Sequence, residues 1–224
     1  MNIRSQKTPQ SGFSLIEIAI VLVIIGLLLG GVMKGQTMVQ NSKIKRIATD
    51  TQAVQSSMNA YTDTYWQLPG DDLNAATHFA GVGPAAGDGN GIIIGFFNFA
   101  TGANNPASDE TALAWNHLRC AELVKGTCVA TGANNDIPRN PVGGVLGIAD
   151  GRDPAPQAVL GLVKKVVCMS SIPTAFAEAY DTQQDDGIGD TGDIRGSQNT
   201  EDGSVAGTAQ IYTANQTIHI CTGF

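Results

Sequence analysis

The longest apolar run of the chain lies near its amino terminus, in the segment "GFSLIEIAIVLVIIGLLLGG" at residues 12–31. Between Phe13 and Met33 the one charged residue is Glu17. About 21 helical residues rise roughly 31 Å, which matches the hydrocarbon thickness of a bilayer. The run is longer than the apolar core of a secretory signal, and no small-residue cleavage site follows it. Residues 13–33 are therefore predicted to form a transmembrane helix.

A second hydrophobic pattern follows the apolar run, with a helical period. Apolar positions recur at steps of three and four among polar ones, so residues 34–65 are predicted to continue the helix as an amphipathic segment. The segment "WQLPGDD" ends it, because the residue before Pro69 disfavours the helical region and Gly70 permits a turn. Residues 66–224 then form a globular head that packs on the apolar face. This face consists of Ile44, Ile47, Thr51, Val54, Met58, Tyr61 and Tyr65.

The head is predicted to mix short strands with two helices. The segment "GIIIGFFNFA" is typical of a buried strand or hairpin, "AVLGLVKKVVCMS" of a strand, and the terminal "AQIYTANQTIHICTGF" of a strand or hairpin. A helix is predicted in "SDETALAWNHLRCAELVKG", with Ser108 as N-cap, Gly126 as stop and Leu113, Leu118 and Leu123 facing inward. A second helix is predicted in "PTAFAEAYDTQQ", with Pro173 in its first turn. The fold class is α+β, a long amino-terminal helix packed on a mainly antiparallel sheet.

The cysteines are an even set that lies wholly beyond the apolar run: Cys120, Cys128, Cys168 and Cys221. They form no CxxC pair and no zinc-type cluster with histidine, so two disulfides in an oxidising compartment are favoured over buried free thiols. Of three possible connectivities, we expect Cys120–Cys128 across a helix end and Cys168–Cys221 between late strands.

Charge is distributed unevenly along the chain. The net charge is +2 before residue 13, +1 over residues 13–65 and −10 from residue 66 onward. A head this acidic argues against a nucleic-acid surface, which needs a basic face. The basic residues on the two short flanks of the span would place the head in the cytoplasm. However, long domains translocate largely regardless of flanking charge, and the cysteines favour the oxidising side.

Candidate chemistry in the head is limited. The segment "DDGIGDTGDIRG" places four carboxylates on a glycine-rich loop, and hard cations prefer several oxygen ligands; these are Asp185, Asp186, Asp190 and Asp193. A solvated acidic turn is the alternative. The segment "AAGDGNGII" imitates part of a calcium loop, but Ala86 and Phe97 occupy its first and twelfth ligand positions, so a plain turn is favoured. No nucleophile, zinc-protease or phosphate-loop motif occurs, and the three histidines lie in separate segments. We expect no enzymatic activity.

The segment "SGFSLIE" resembles the processing site of type IV pilins and type II secretion pseudopilins: a basic leader, a glycine, a phenylalanine, and a glutamate five residues into the apolar helix. The resemblance implies that residues 1–12 are a leader, removed on the cytoplasmic side by a prepilin peptidase that cuts between Gly12 and Phe13. Phe13 then becomes an N-methylated terminus. The lack of a Cβ at Gly12 lets a peptidase approach the backbone. The acidic loop also resembles the calcium-binding loop of major pseudopilins, so calcium is a possible ligand while no cofactor is required.

The resemblance further implies a single-pass protein of the bacterial inner membrane, with its head in the periplasm. Its partners are then prepilin peptidase, other pilin or pseudopilin subunits and an inner-membrane assembly platform, and its product is a pilus or a periplasmic pseudopilus. Glu17 is interpreted as an assembly residue that pairs with the Phe13 amine of a neighbouring subunit, the alternative being a simple helix-start residue. A second functional hypothesis is a binding subunit whose head contacts a surface, DNA or secreted substrate. Such a head needs an exposed aromatic or polar patch, and Trp66 and Trp115 are its tryptophans.

Overall fold

A computed structural model describes residues 12, 14–95, 97–98, 103–104, 109–130, 137–152, 159–198 and 209–224. The chain divides into two compact units, residues 1–42 and residues 43–224. The first unit contains the first part of helix α1 (Leu15–Tyr65), and the second contains the rest of that helix and the head. The expected long helix is confirmed, and it ends at the residue before "WQLPGDD". Gly70 adopts the positive φ of 96° that its turn requires.

The apolar stripe of α1 forms the centre of the core of the second unit. Ile47, Met58 and Tyr61 are completely buried, and Tyr65 is partly buried against the same cluster. They pack with helix α3 (Glu110–Cys120), helix α4 (Thr174–Gln184) and one face of a sheet. This is the packing that the helical period predicts, because residues three and four apart share one face.

Four antiparallel strands make the main sheet: β3 (Leu146–Asp150), β4 (Lys165–Pro173), β5 (Ile194–Ser197) and β6 (Thr217–Gly223), in the order β3-β4-β6-β5. Successive side chains of β4 point to opposite faces, as a strand requires. Val167 and Met169 join the core around α1, whereas Val166 and Cys168 join a second apolar cluster on the other face. The α+β class with an antiparallel sheet is therefore confirmed. The remaining elements are α2 (Ala75–His78) and the two-stranded pair β1 (Phe97–Asn98) and β2 (Ala103–Asn104).

The structure joins Cys120 to Cys128 and Cys168 to Cys221, the pairing that the sequence led us to expect. Cys168 and Cys221 lie directly opposite each other on β4 and β6, with 4.0 Å between their Cα atoms. Cys128 returns to the last residue of α3 through a short loop. Each disulfide therefore fixes a different part of the head.

Three details of the predicted elements are wrong. Helix α3 begins after Asp109, whose side chain accepts a hydrogen bond from the Thr111 N–H at 3.1 Å, so Asp109 and not Ser108 is the N-cap; Ser108 lies outside the described residues. The helix ends at Cys120, well before Gly126, because Glu122 takes a left-handed conformation with φ 59°. Leu123 consequently lies beyond the helix, and its side chain is exposed.

The later segments also differ from the prediction at their ends. Strand β4 begins only at Lys165, because Val159 and Leu162 form a tight bridge around a turn. Pro173 is the N-cap of α4 and precedes its first turn. Strands β3 and β5 are not predicted at all, since glycines interrupt the alternation of both: "LGIAD" and "IRGS".

Candidate functional site

The start of α1 is organised by Ser14 and Glu17. The Ser14 backbone N–H donates to Glu17 Oε2 at 2.8 Å, and the Ile16 N–H donates to Ser14 Oγ at 3.3 Å. This reciprocal arrangement is a capping box, which satisfies backbone donors that the first turn of a helix leaves unpaired. Glu17 is therefore a helix-start residue in this structure. The sequence analysis missed Ser14, although the pattern Ser-x-x-Glu before an apolar run is the signal for it.

Gly12 precedes this cap and is exposed. A Cβ built at Gly12 would meet no atom of the described residues within 4 Å. The packing of the described chain therefore does not require glycine at this position. Phe13, the other side of the expected cleavage site, lies outside the described residues, as do residues 1–11.

The first unit exposes a long apolar surface. The large apolar side chains of α1 are exposed from Leu15 to Val39, with Leu15 at 92% and Leu27 at 73%. Among the described residues, α1 is the one helix long and apolar enough to cross a membrane. Continuous apolar surface of this size marks contact with lipid or with other apolar helices.

The expected carboxylate loop of the head is only partly assembled. Asp185 and Asp186 form a group with Asp181 of α4, with one oxygen of each within 4.8 Å of the others. Asp185 also accepts hydrogen bonds from the backbone N–H groups of Asp193 and Ile194. The carboxylate of Asp193 instead pairs with the Lys164 ammonium at 2.5 Å. Asp190 is exposed and does not belong to the group.

Asp181 is the member of this group that the sequence analysis missed, because it lies on a helix and outside the glycine-rich loop. Asp181 is buried, and the Tyr212 hydroxyl donates to it at 2.6 Å. Burial raises the pKa of Asp181, while its hydrogen bonds with Tyr212 and the Gly187 N–H act in the opposite direction. The exposed Asp186 has a lowered pKa, chiefly because the Thr191 hydroxyl donates to it.

A second carboxylate group contains Asp71, Asp88 and Glu110, again with oxygens within 4.8 Å of one another. Asp71 and Glu110 are buried, and the loop "GDGNGII" wraps around them. Asp71 accepts from the backbone N–H groups of Asn90 at 2.9 Å and Gly91 at 2.7 Å. Glu110 accepts from the backbone N–H groups of Asp88 at 2.9 Å and Ile94 at 2.7 Å.

The loop that imitates a calcium site is therefore held by two carboxylates from distant positions. Burial raises the pKa of both Asp71 and Glu110, and the backbone donors partly oppose that effect. Asp88 adds to the increase in both pKa values, through a side-chain hydrogen bond with Asp71 and through its charge at Glu110. No local motif could reveal this group, since Asp71 and Glu110 are 39 residues apart.

The histidines and tryptophans occupy contrasting environments. His117 is completely buried; its Nδ1 accepts from the Gly70 N–H at 2.9 Å, and its Nε2 lies 2.8 Å from the Ala85 carbonyl, to which it donates. Burial lowers the pKa of His117, so the neutral ring is favoured. Trp115 is buried in the core, whereas Trp66 is 88% exposed.

Comparison with known proteins yields one match. Residues 7–33 match the family model described as the prokaryotic N-terminal methylation motif. No curated protein and no solved structure shows a significant match to the chain. The matched residues contain Gly12, Phe13, the Ser14–Glu17 cap and most of the exposed apolar helix. The chain thus carries, at its amino terminus, the prokaryotic N-terminal methylation motif, which is the signature of type IV pilins and pseudopilins.

Proposed function

We propose that this protein is a structural subunit of a type IV pilus or a type II secretion pseudopilus. Prepilin peptidase removes residues 1–12, Phe13 becomes the N-methylated terminus, and α1 anchors the chain in the bacterial inner membrane with the head in the periplasm. Assembly with other pilin or pseudopilin subunits proceeds through α1 at an inner-membrane platform. Proteins with this motif are structural subunits, so we expect no catalytic activity.

The observation that carries this proposal is the methylation motif at residues 7–33, which runs directly into an exposed apolar helix. In the membrane, lipid covers this helix, and in a filament neighbouring helices can replace the lipid without loss of apolar contact. The exposed Gly12, which the described chain does not itself require, supports recognition by a peptidase.

Under this proposal, Glu17 has a role both in the single mature subunit and in the assembled filament. Cleavage leaves the Phe13–Ser14 peptide bond intact, so the capping box can persist in the mature subunit. The new terminal amine has an ordinary pKa near 8 and is positive at neutral pH. Buried within a filament, that amine needs a carboxylate, and the Glu17 side chain of a neighbour supplies one at a single register.

Calcium binding is a subsidiary part of the proposal. We place it at Asp181, Asp185 and Asp186, because these three carboxylates converge while Asp193 is engaged by Lys164 and Asp190 is apart from the group. Carboxylate oxygens are the ligands that calcium prefers. A bound cation would also offset the mutual repulsion of three negative charges on a loop next to strand β5.

A second candidate function, contact of the head with a surface or a secreted substrate, is favoured by one observation. Such a function needs an exposed aromatic or polar patch, and Trp66 is 88% exposed. This function is compatible with assembly, because it uses the second unit of the chain whereas the processing site and Glu17 belong to the first.

The mass of the mature protein tests the processing step. We expect the chain purified from cells that contain prepilin peptidase to lack residues 1–12 and to carry one methyl group on Phe13. Gly12→Val should keep residues 1–12, because a branched side chain blocks the approach of the peptidase. Gly35→Val is the matched control, since Gly35 also has no atom of the described chain within 4 Å of its Cβ position. A wild-type chain that retains its first 12 residues in such cells would contradict the proposal.

A further inference from the structure

Trp66 has a position that neither backbone geometry nor packing explains. It follows the last residue of α1, and its N–H donates to the Thr62 carbonyl at 2.8 Å. Its φ is 59°, a left-handed helix-ending conformation for which glycine is the usual residue. A side chain with a Cβ is sterically unfavourable there. The indole gains no compensating burial, because 88% of it is exposed. Strained backbone of this kind is common at binding sites.

A cavity of about 420 Å³ lies beside this indole. About half of its wall is polar: besides Trp66 and Leu68 the lining includes Thr62, Gln67, Asp71, Arg152 and Lys165. A hot spot for a protein partner is typically a desolvated apolar pocket, which these walls do not provide. An exposed ring face next to several hydrogen-bonding groups instead suits a small amphipathic ligand.

Polar side chains that line the cavity can form further hydrogen bonds with a ligand. Arg152 donates to Asp150 through Nε and Nη2, and its Nη2 also donates to the Gly91 carbonyl at 3.0 Å. These bonds use three of the five N–H donors of a guanidinium. Gln67 is half-buried, and its side-chain amide can both donate and accept. Both donors and acceptors therefore line the cavity.

Both positive and acidic side chains lie around the cavity. Arg152 is paired with the buried Asp150, Lys165 is positive, and Asp71 belongs to the second carboxylate group. The Lys165 ammonium lies 4.9 Å from the centre of the Phe224 ring. Burial lowers the pKa of Lys165, and the positive charge of the nearby Arg152 lowers it further. A mixed set of donors and acceptors matches hydroxyl groups, each of which both donates and accepts, better than it matches an ion of one sign.

We propose that Trp66 and this cavity bind a neutral saccharide. One face of a pyranose ring carries C–H groups, which are attracted to the electron-rich face of the indole. The hydroxyls of the ring then hydrogen-bond with Gln67 and Arg152 in the cavity. This function goes beyond assembly, and it uses residues of the second unit only.

The full chain, purified in a detergent without a sugar headgroup, is suited to the test. Binding of cellotetraose, chitotetraose, maltotetraose and mannotetraose is measured by calorimetry and by tryptophan emission. The chain has two tryptophans, and Trp115 is buried, so a saccharide-dependent change in emission should come from Trp66. At least one tetrasaccharide should bind. Trp66→Ala should weaken that binding about tenfold, as loss of an aromatic stacking contact predicts, and Trp66→Phe should retain most of it.

Ile211→Ala is the matched control, because Ile211 is an exposed apolar residue that does not line the cavity. It should bind like the wild type. Trp66→Ala should also unfold like the wild type, because its side chain is exposed, and it should be incorporated into filaments normally. The proposal is overturned if none of the four tetrasaccharides binds, or if Trp66→Ala binds as tightly as the wild type.

Discussion

Replacing Glu17 with glutamine and with valine separates two roles of this side chain. Glutamine retains an oxygen that can accept the Ser14 N–H, so it keeps the capping box but removes the negative charge. Valine removes both the acceptor oxygen and the negative charge. Ser14→Ala is the complementary control, because it removes the Ser14 Oγ acceptor from the Ile16 N–H and keeps the charge of Glu17. The three variants therefore distinguish capping from charge pairing.

The expected losses differ because the helix cap lies at an exposed position, whereas the charge pair with the Phe13 amine would be buried in the filament. The cap lies on an exposed helix end, where loss of a capping side chain costs about 1 kcal/mol. In a filament, the Phe13 amine of a neighbour would be left buried without its partner, which costs about 3–5 kcal/mol. Since about 1.4 kcal/mol corresponds to a tenfold change in an equilibrium constant, incorporation should fall roughly 100- to 4,000-fold for both Gln and Val.

The assay is the fraction of each variant found in assembled filaments when it is co-expressed with the wild-type chain. Membrane insertion, cleavage after Gly12 and head unfolding, followed by the emission of the buried Trp115, are measured in parallel and should match the wild type. Ser14→Ala should be incorporated almost normally. If Glu17→Gln is incorporated like the wild type while Glu17→Val is not, capping is the role of Glu17 and charge pairing is refuted. Normal incorporation of both variants would refute any assembly role.

Three further predictions concern the head. Replacing both Cys168 and Cys221 with alanine should lower the free energy of unfolding by about 4 kcal/mol, because their disulfide closes a separation of 53 residues. Replacing Cys120 and Cys128 should lower it by about 2.5 kcal/mol, because their disulfide closes a separation of 8 residues. Equal losses in denaturant titrations would contradict this order. Because burial raises the pKa of Asp71 and Glu110, their contribution to stability is present below their ordinary pKa values near 4 and is lost as pH rises through the raised values. Asp88→Asn removes one cause of both shifts, so its free energy of unfolding should fall less steeply with pH than that of the wild type; parallel curves would show that Asp88 does not act on the pair. Saturating calcium should raise the melting temperature of the wild type and of Asp190→Asn but not of Asp186→Asn, and an unchanged wild-type melting curve would eliminate the calcium site.

The amino-terminal helix of this protein and its end could be predicted from the sequence because their determinants are local. A helix is specified by residues three and four apart, so the stripe from Ile44 to Tyr65 and the stop before Pro69 are readable without tertiary contacts. The processing motif is likewise a short contiguous segment, matched at residues 7–33. The cysteine pairing could also be predicted from the sequence, because Cys120 and Cys128 are close in the chain and the remaining two cysteines follow by elimination.

The sites of the head were decided by the tertiary structure, because they join residues that are far apart in the chain. Asp71 meets Glu110 only after the turn at Gly70 packs against α3, where the position of a Cβ at Gly70 would lie 2.3 Å from the Glu110 carbonyl oxygen. Asp181 reaches Asp185 and Asp186 across the end of α4, while the carboxylate of Asp193 pairs with Lys164. Composition could not distinguish Trp115, buried on α3, from Trp66, left exposed by the end of α1. Helical period and motif spacing act over a few residues, whereas burial and the meeting of charges depend on how the sheet and helices pack.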